Sequence, residues 1–347
     1  MQTMGRGARY TAIGLFAAAL LFPAFTTDAY FLTIICTGMA FGMLAMSLDL
    51  LWGYSGILNL GPALSFGIGA YTWSIVSSRV DGTLGTLLGL LAVVAISSAL
   101  AAAIAFVSFR SGAKEIYFAL ITLAMTLAFQ QIAQVATGLT GGANGFIGVP
   151  WPVIGLSDSL QFSFDSTTSL YYLTVAVTAL AFLGCAKLVG SRFGTVLRAI
   201  RESDNRAETL GYSTLAHRVV ISAGAAALAA VAGMLYAPLI GIVDPSTFGV
   251  ALSVQAFVWV AVGGAGTLIG PLVAALLLTS GQATLSGSSA TTYLLTTGVG
   301  FILVVLFLPG GLASLARRGS PLGGLRRATP RVPGRAAEVA GGVEHGH

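Results

Sequence analysis

Long apolar stretches separated by short polar breaks occupy the chain from residue 10 to residue 310. A hydrocarbon core about 30 Å thick needs about 20 consecutive apolar residues for each helix that crosses it. On that basis, we predict ten transmembrane helices, at residues 10–26, 30–51, 57–78, 83–108, 115–136, 169–188, 218–241, 247–262, 266–284 and 291–309. The predicted fold class is therefore all-α, a polytopic integral membrane bundle of about ten helices.

The chain divides into a short N-terminus at residues 1–9, a membrane domain at 10–310 and a tail at 311–347. The first span follows two arginines and is short, so it reads either as a signal peptide or as a retained helix. We favour a retained helix, because no small-x-small cleavage site follows and Pro23 lies near its end. The tail is rich in Arg, Gly and Pro, which predicts a disordered, basic segment able to contact anionic lipid.

Lysine and arginine positions predict the orientation, since cytoplasmic loops carry an excess of both. An even number of spans with both termini in the cytoplasm leaves Arg79 outside. The other 16 of the 17 basic residues are then inside: Arg6, Arg9, Arg110, Lys114, Lys187, Arg192, Arg198, Arg201, Arg206, Arg218, Arg317, Arg318, Arg326, Arg327, Arg331 and Arg335. This distribution predicts a multi-pass protein of the plasma or inner membrane.

Composition excludes several classes of protein. Charged residues make up 8% of the chain and hydrophobic residues 56%, with a mean hydropathy of +0.88, which is too much apolar surface for a soluble fold. The net charge of +5 is spread over loops without a basic-aromatic patch, so no nucleic-acid partner is expected. Cys36 and Cys185 lie in apolar runs, which argues against a disulfide or a metal site.

The third predicted span carries helix-breaking residues inside an apolar run. Asn59, Gly61 and Pro62 interrupt the sequence WGYSGILNLGPALSFGIGAY at 52–71. Proline suits the first position of a new helix, so Pro62 predicts a half-helix that begins at membrane depth. Its free N–H groups and positive end would suit a carboxylate or carbonyl oxygen in a cavity. A kinked packing helix is the alternative, and we keep all three residues as candidates for a substrate path.

Asp49 is the one acid placed well inside a predicted span, which makes it a further candidate for the substrate path. It lies near the cytoplasmic end of its helix, where it can pair with a donor, so we favour a structural role. No buried proton relay, nucleophile–base set, metal-ligand cluster or Walker A motif is visible in the sequence. We therefore predict no catalytic residue, and any ATP must be used by another subunit.

Two glycine-rich stretches connect spans. TGLTGGANGFIGVPWP at 137–152 is predicted outside, as a docking loop, a gate or a plain connector, and its Asn144 is the last candidate for the substrate path. VGGAGTLIGP at 262–271 fails the dinucleotide fingerprint because Ile269 occupies the third glycine position. We predict a tight turn between two helices there.

The longest charged segment between apolar spans runs from Gly190 to Gly211. Its apolar positions recur at steps of three and four, which predicts a short amphipathic helix over about 195–211. Gly211 suits the left-handed position after a helix end. Such a helix lies along the membrane surface or docks on a soluble partner. The residues assigned to this segment are Val196, Ile200, Glu202, Ser203, Arg206, Ala207, Glu208, Leu210 and Gly211.

Three motif regions resemble the LivM-like branch of the LivH/LivM permeases of ABC importers for branched-chain amino acids, over about residues 30–312. They are GYSGILNLGPALSFGIGAY at 53–71, TGGANGFIGVP at 140–150, and the run from SRFGTVLRAIRESDNRAETLGY through GMLYAPLIGIVDPSTFG to VAVGGAGTLIGP. The third region is the most specific. The chain departs from the family pattern at two positions, since Asn59 stands where Ser is common and Pro62 where Gln or His is common.

The resemblance implies that 195–211 is a coupling helix docked in a groove of an ATPase. Ile200, Ser203, Ala207 and Leu210 would then form the apolar stripe. Charged residues would form its rim: Glu202, Arg206 and Glu208. The implied partners are a second related permease in a heterodimer, two cytoplasmic ATPases that use ATP and Mg²⁺, an extracytoplasmic solute-binding protein and membrane lipid. This chain would hold no cofactor of its own.

Two alternatives stay open. The pieces DLLWGY at 49–54 and VWVAVGGAGTLIG at 258–270 also resemble urea and short-chain amide permeases of the same superfamily. A stand-alone carrier driven by an ion gradient is the other alternative, although the shortage of buried acids speaks against it.

Overall fold

The structure is a computed structural model and describes residues 28–113, 115–155, 161–163 and 166–285. It also describes six residues of the first predicted span, all of them helical: Gly14, Phe16, Ala19, Leu20, Phe22 and Pro23. The N-terminus at 1–9, the tenth predicted span at 291–309 and the tail at 311–347 lie outside the described residues.

Helices make up almost all of the described chain. In order they are α1 (Ala29–Asp49), which continues into a π-helix (Leu50–Ser55), α2 (Pro62–Ser77), α3 (Gly82–Arg110), α4 (Glu115–Val135), α5 (Thr137–Thr140), a 3₁₀ turn (Gly142–Asn144), α6 (Thr167–Gly190), α7 (Arg192–Glu202), α8 (Asp204–Thr209), α9 (Thr214–Ile240), a second 3₁₀ turn (Pro245–Phe248), α10 (Val250–Gly263) and α11 (Ile269–Leu285). Polar caps begin several of them. Asp28 accepts the Tyr30 N–H at 3.0 Å, and Ser213 accepts the Ala216 N–H at 3.3 Å.

Helices whose bounds the structure describes coincide with eight of the ten predicted spans. Five described segments are long and apolar enough to cross a membrane: Ala29–Ser55, Gly82–Arg110, Glu115–Val135, Thr167–Gly190 and Thr214–Ile240. Three further apolar helices, α2, α10 and α11, are shorter, at 16, 14 and 17 residues. The chain is thus an all-α, multi-pass membrane protein.

Four short strands form two small antiparallel sheets, which the sequence did not predict. β1 (Phe146–Ile147) pairs with β4 (Ile242–Val243), and β2 (Val153–Gly155) pairs with β3 (Gln161–Ser163). All four strands lie in connections at one end of the bundle. The first sheet joins the connection after α4 to the connection after α9, so it ties two halves of the chain together at that end.

The helix α9 packs against α1, α2 and α3 and forms the centre of the bundle. Glycines permit this close approach. A Cβ at Gly69 would clash with the Ala230 carbonyl, and one at Gly233 would clash with the Phe66 carbonyl, so the α2 and α9 backbones pass each other directly. On the other side of α1, Gly38 and Gly42 face α11.

The prediction of one continuous helix over 195–211 is wrong. The segment forms α7 and α8, separated at Ser203, whose backbone is extended with φ −166° and ψ 111°. Serine, aspartate and asparagine stand in succession at 203–205, and such residues favour helix starts over helix interiors. The predicted left-handed end is confirmed, because Gly211 has a φ of 85°.

Candidate functional site

The chain breaks between the π-helix and α2. The break starts at Gly56, which is left-handed with φ 77°, and residues 56–61 are not helical. Helix α2 begins at Pro62, where the sequence predicted a helix start. Side chains satisfy the first donors, since Asn59 Oδ1 accepts the Gly61 N–H at 2.9 Å and Ser253 Oγ accepts the Ala63 N–H at 3.3 Å.

A small cavity with a mixed polar and apolar lining lies beside this break. Its volume is about 30 Å³, enough for one or two waters and far less than an amino acid. Two predicted residues, Asn59 and Gly61, line it together with polar and apolar side chains of the π-helix and of α2, α3, α4 and α9. The polar side chains that these helices contribute are Ser65, Ser97, Thr122 and Ser222. Gly61 must be glycine here, because a Cβ would clash with the Thr122 carbonyl.

Ser222 is the unusual member of the cavity wall. The residue is 3% exposed, and its Oγ has no hydrogen-bond partner among the residues that the structure describes. By contrast, Ser97 Oγ donates to the Ala226 carbonyl at 3.0 Å. A buried hydroxyl without a partner is unfavourable, so its presence at a cavity points to a ligand or water that it can bind. Sequence reasoning missed Ser97, Thr122 and Ser222, because serine and threonine are common in packed membrane helices and carry no distinguishing signal.

The other two candidates for the substrate path do not line the cavity. Asp49 is fully buried and caps the turn between α10 and α11, where its carboxylate accepts the N–H groups of Gly266 at 2.6 Å and Leu268 at 3.0 Å. That geometry agrees with the structural role favoured from the sequence. Asn144 ends the 3₁₀ turn Gly142–Asn144 and is exposed on the connection after α4.

The turn capped by Asp49 is the tight inter-helix turn predicted from VGGAGTLIGP. Gly264 and Gly266 have φ of 95° and 81°. Leu268 also has a positive φ, 56°, which costs a non-glycine residue about 1–2 kcal/mol. The two hydrogen bonds to a buried carboxylate offset that cost and hold the turn against α1.

The segment α7–α8 packs its apolar stripe on the chain itself. Val196, Ile200 and Ala207 form a buried cluster, 9%, 2% and 1% exposed. Leu210 was expected to extend this stripe, but it follows the end of α8 and is 75% exposed. The stripe therefore joins α7 to α8, and only Leu210 of the predicted apolar positions is free to contact a partner.

The predicted charged rim of α7–α8 is exposed, and one of its members is also bonded within the chain. Glu202, Arg206 and Glu208 are all exposed. Glu208 accepts a hydrogen bond from Thr214 Oγ1 at 2.6 Å, which ties α8 to the first residue of α9. Ser203, half-buried, marks the junction of the two helices.

A charged cluster that sequence reasoning missed holds this segment in place. Arg218 is 9% exposed and forms ion pairs with Asp204 at 2.6 Å and with Glu115 at 3.1 Å. Its guanidinium also lies 4.8 Å from the centre of the Phe109 ring. The cluster joins α4, α8 and α9 and borders an open cavity of about 510 Å³. The sequence showed Arg218 only as one basic residue at a span end.

Fold and site together define a multi-pass helical membrane protein with a small cavity at a chain break and a charged amphipathic segment at one end. The chain belongs to the family described as "branched-chain amino acid transport system / permease component", whose model matches residues 30–308. The resemblance stated from the motifs is thereby confirmed.

The names of similar proteins agree with this family. The chain is 26% identical over 297 residues to the high-affinity branched-chain amino acid transport system permease protein LivM of Salmonella typhimurium, covering 80% of this chain and 69% of that one. It is 26% identical over 289 residues to the LivH permease protein of Escherichia coli, covering 79% and 91%. A probable LivM of Methanocaldococcus jannaschii is 25% identical over 226 residues, covering 56% and 63%. No solved structure matches the chain significantly.

Proposed function

We propose that this chain is the transmembrane permease subunit of an ATP-binding-cassette importer for branched-chain amino acids. The observation that carries the proposal is the family match over residues 30–308, together with LivM and LivH relatives that cover about 80% of the chain. The substrate class follows the names of those relatives. The chain provides the passage, and partner ATPases supply the energy from ATP and Mg²⁺.

The translocation site is the cavity beside the break at 56–61. Asn59 and Gly61 form one wall, Pro62 starts the half-helix that faces it, and Ser222 provides a free hydroxyl. At about 30 Å³ the cavity is too small for an amino acid, so passage of the substrate requires the cavity walls to move apart. Asp49 acts in this proposal by holding the α10–α11 turn rather than by touching substrate.

The coupling surface is the exposed part of α7–α8. The exposed side chains of the predicted set contact the ATPase: Glu202, Arg206, Glu208 and Leu210. Ile200, Ser203, Ala207 and Gly211 shape and anchor the segment. Both termini lie in the cytoplasm, and the opposite end of the bundle, with Asn144 and the two small sheets, receives a solute-binding protein. A second, related permease completes the membrane unit as a heterodimer.

The experiment is purification of the protein from its native membrane in mild detergent, followed by reconstitution and uptake assays. We expect an ATPase and a second permease to co-purify, and radiolabelled leucine and valine to enter proteoliposomes when ATP and the binding protein are present. Uptake of urea or acetamide in place of leucine would reassign the substrate to the amide class. Uptake by the lone chain, abolished when an ion gradient is removed, would overturn the importer proposal.

A further inference from the structure

The π-helix Leu50–Ser55 lies where three parts of the molecule meet. It is the six-residue end of the segment that starts as α1, and the break at 56–61 follows it directly. A π-helical turn is rare and less favourable than an α-helical one, and it persists where neighbouring groups hold it, frequently at functional sites. The neighbours of this π-helix are therefore informative.

On one side the π-helix is bonded to α7. Arg201, in the last turn of α7, donates a hydrogen bond from Nη1 to the Gly53 carbonyl. The Arg201 side chain runs past Gly56, where a Cβ would lie 2.9 Å from its Cγ and 3.5 Å from its Cβ. Arg198, one turn earlier, lies with its guanidinium 5.8 Å from the centre of the Tyr54 ring. Helix α7 thus contacts the π-helix through two arginines.

On the other side the π-helix is packed against the α10–α11 turn. A Cβ at Gly53 would clash with both Asp49 Oδ1 and the Gly266 nitrogen, so the two backbones are in direct contact. Asp49, the residue that precedes the π-helix, holds the same turn through Gly266 and Leu268. A displacement of Gly53 along this contact therefore moves the turn as well.

The third connection is covalent. Only five residues separate Gly53 from Asn59, which lines the cavity, and seven separate it from Gly61. The Gly53 carbonyl that accepts from Arg201 is therefore within one short non-helical segment of the proposed translocation site. No side chain of α7 lines that cavity.

We infer that Arg201 is a positioning residue that transmits movement of α7 through the π-helix to the cavity wall at 59–61 and to the α10–α11 turn. The inference rests on the proposed function and goes beyond it, because it assigns the link between the ATPase-facing segment and the translocation site to one guanidinium–carbonyl hydrogen bond. When α7 moves with a bound ATPase, Gly53 follows, and the wall that contains Asn59 and Gly61 opens or closes.

The first test measures leucine taken up per ATP hydrolysed in the reconstituted full complex. We expect R201Q to lower this ratio about tenfold, the effect on an equilibrium of losing one charge-assisted hydrogen bond, while ATP hydrolysis continues. R201K, which keeps the charge but not the fork of donors, should give an intermediate ratio. R192Q is the matched control, since Arg192 is exposed at the start of the same helix and contacts no part of the π-helix that the structure describes.

The second test replaces the hydrogen bond between Arg201 and Gly53 by a disulfide bond between positions 201 and 56. Because the Cβ atoms of residues 56 and 201 would lie 3.5 Å apart, a G56C/R201C pair falls within the range of disulfide geometry. We expect the reduced double variant to be uncoupled and the oxidised one to regain uptake per ATP. G56C alone, insensitive to oxidation, controls for strain at the left-handed position 56.

Two outcomes would overturn the inference while the importer proposal stands. One is that R201Q takes up as much leucine per ATP hydrolysed as the wild type does. This includes the case in which the rates of uptake and of ATP hydrolysis fall in proportion. The other is an oxidised G56C/R201C pair that forms its disulfide and stays uncoupled. If the wild-type complex itself shows no ATP-dependent leucine uptake, the proposed function fails, and that result is read from the wild type alone.

Discussion

Arg218 and Asp204 are joined at 2.6 Å, and this contact explains why the charged segment is two helices rather than one. The Arg218 guanidinium lies near the start of α9, while Asp204 is the first residue of α8. A continuous helix through Ser203 would carry Asp204 onward in the direction of α7. The extended backbone at Ser203 instead turns α8 towards α9, where the ion pair and the Glu208–Thr214 hydrogen bond hold it.

We expect R218M to destabilise the protein by about 1–3 kcal/mol, because it leaves two carboxylates near each other without their shared cation. The acids are partly exposed, at 39% and 45%, so water solvates both carboxylates in the variant and limits the cost of losing the arginine. The measurement is the midpoint of thermal unfolding of the purified complex. R79M removes an exposed arginine at the other end of the bundle and should leave the midpoint unchanged. Equal midpoints for R218M and R79M would show that the cluster contributes nothing.

The contact of α1 with α11 depends on glycine. A Cβ at Gly42 would lie 3.3 Å from the Leu272 carbonyl oxygen and closer still to the end of the Leu272 side chain. We therefore expect G42A to cost about 1–3 kcal/mol through overpacking, and L272A to relieve part of that cost in the double variant. A double-mutant cycle on thermal unfolding measures the coupling.

Gly224 provides the control for that cycle. It lies in the middle of α9, it is exposed, and a Cβ there would meet nothing within 4 Å. G224A should be neutral or stabilise the helix by up to about 1 kcal/mol. If G42A behaves like G224A, then the close α1–α11 approach is not required for stability.

The apolar pattern predicted the helices well, because membrane thickness imposes their length and the backbone must satisfy its hydrogen bonds within each span. Proline and glycine predicted the local breaks, because each restricts or extends the backbone conformations that are possible at its own position. Pro62 starts α2, Gly211 is left-handed after α8, and the glycines at 264 and 266 form the α10–α11 turn. Each of these outcomes depends on a residue's own backbone preferences.

The site was predictable only in part, because its members come from helices far apart in the sequence. Asn59 and Gly61 were visible as breaks in an apolar run, whereas Ser222 and Thr122 reach the cavity through tertiary packing alone. The Arg201–Gly53 contact had no sequence signal, since its acceptor is a backbone carbonyl. The break at Ser203 was missed because the helical periodicity of residues 195–211 carries no information about their tertiary contact with Arg218.

The exposed charges of α7–α8 provide a direct test of the coupling surface. Glu202 and Arg206 are both exposed, so exchanging them as E202R/R206E should leave folding and membrane insertion intact. We expect transport to be abolished, because a reversed charge pattern opposes a complementary partner surface. The measurements are leucine uptake in proteoliposomes and the amount of ATPase retained on purification.

An equivalent exchange at the opposite end of the bundle controls for the number of charges changed. Arg79 and Asp81 are exposed in the connection between α2 and α3, and R79E/D81R should retain the ATPase in wild-type amount. Normal uptake by a membrane-inserted E202R/R206E variant would show that these residues do not face the ATPase.

The free hydroxyl of Ser222 predicts a conflict between stability and transport. Its burial without a partner is unfavourable, so S222A should raise the free energy of unfolding by about 1 kcal/mol. The same change removes a hydrogen-bonding group from the proposed translocation site, so leucine uptake should become slower. S97A provides the contrast for stability, since its hydroxyl is bonded to the Ala226 carbonyl and its loss should not stabilise the protein.

Filling the cavity distinguishes a passage for substrate from a simple packing defect. S222V adds volume to a space of about 30 Å³, and in a passage this blocks movement of substrate whatever its effect on stability. The control is S74V, which makes the same change at a fully buried serine that does not line the cavity. Overpacking at either site costs roughly 1–3 kcal/mol. We expect leucine uptake by S222V to be at least about tenfold below uptake by S74V. Comparison at equal amounts of assembled complex removes the stability contribution. If S222V carries leucine as fast as S74V, the substrate does not pass beside Asn59 and Gly61.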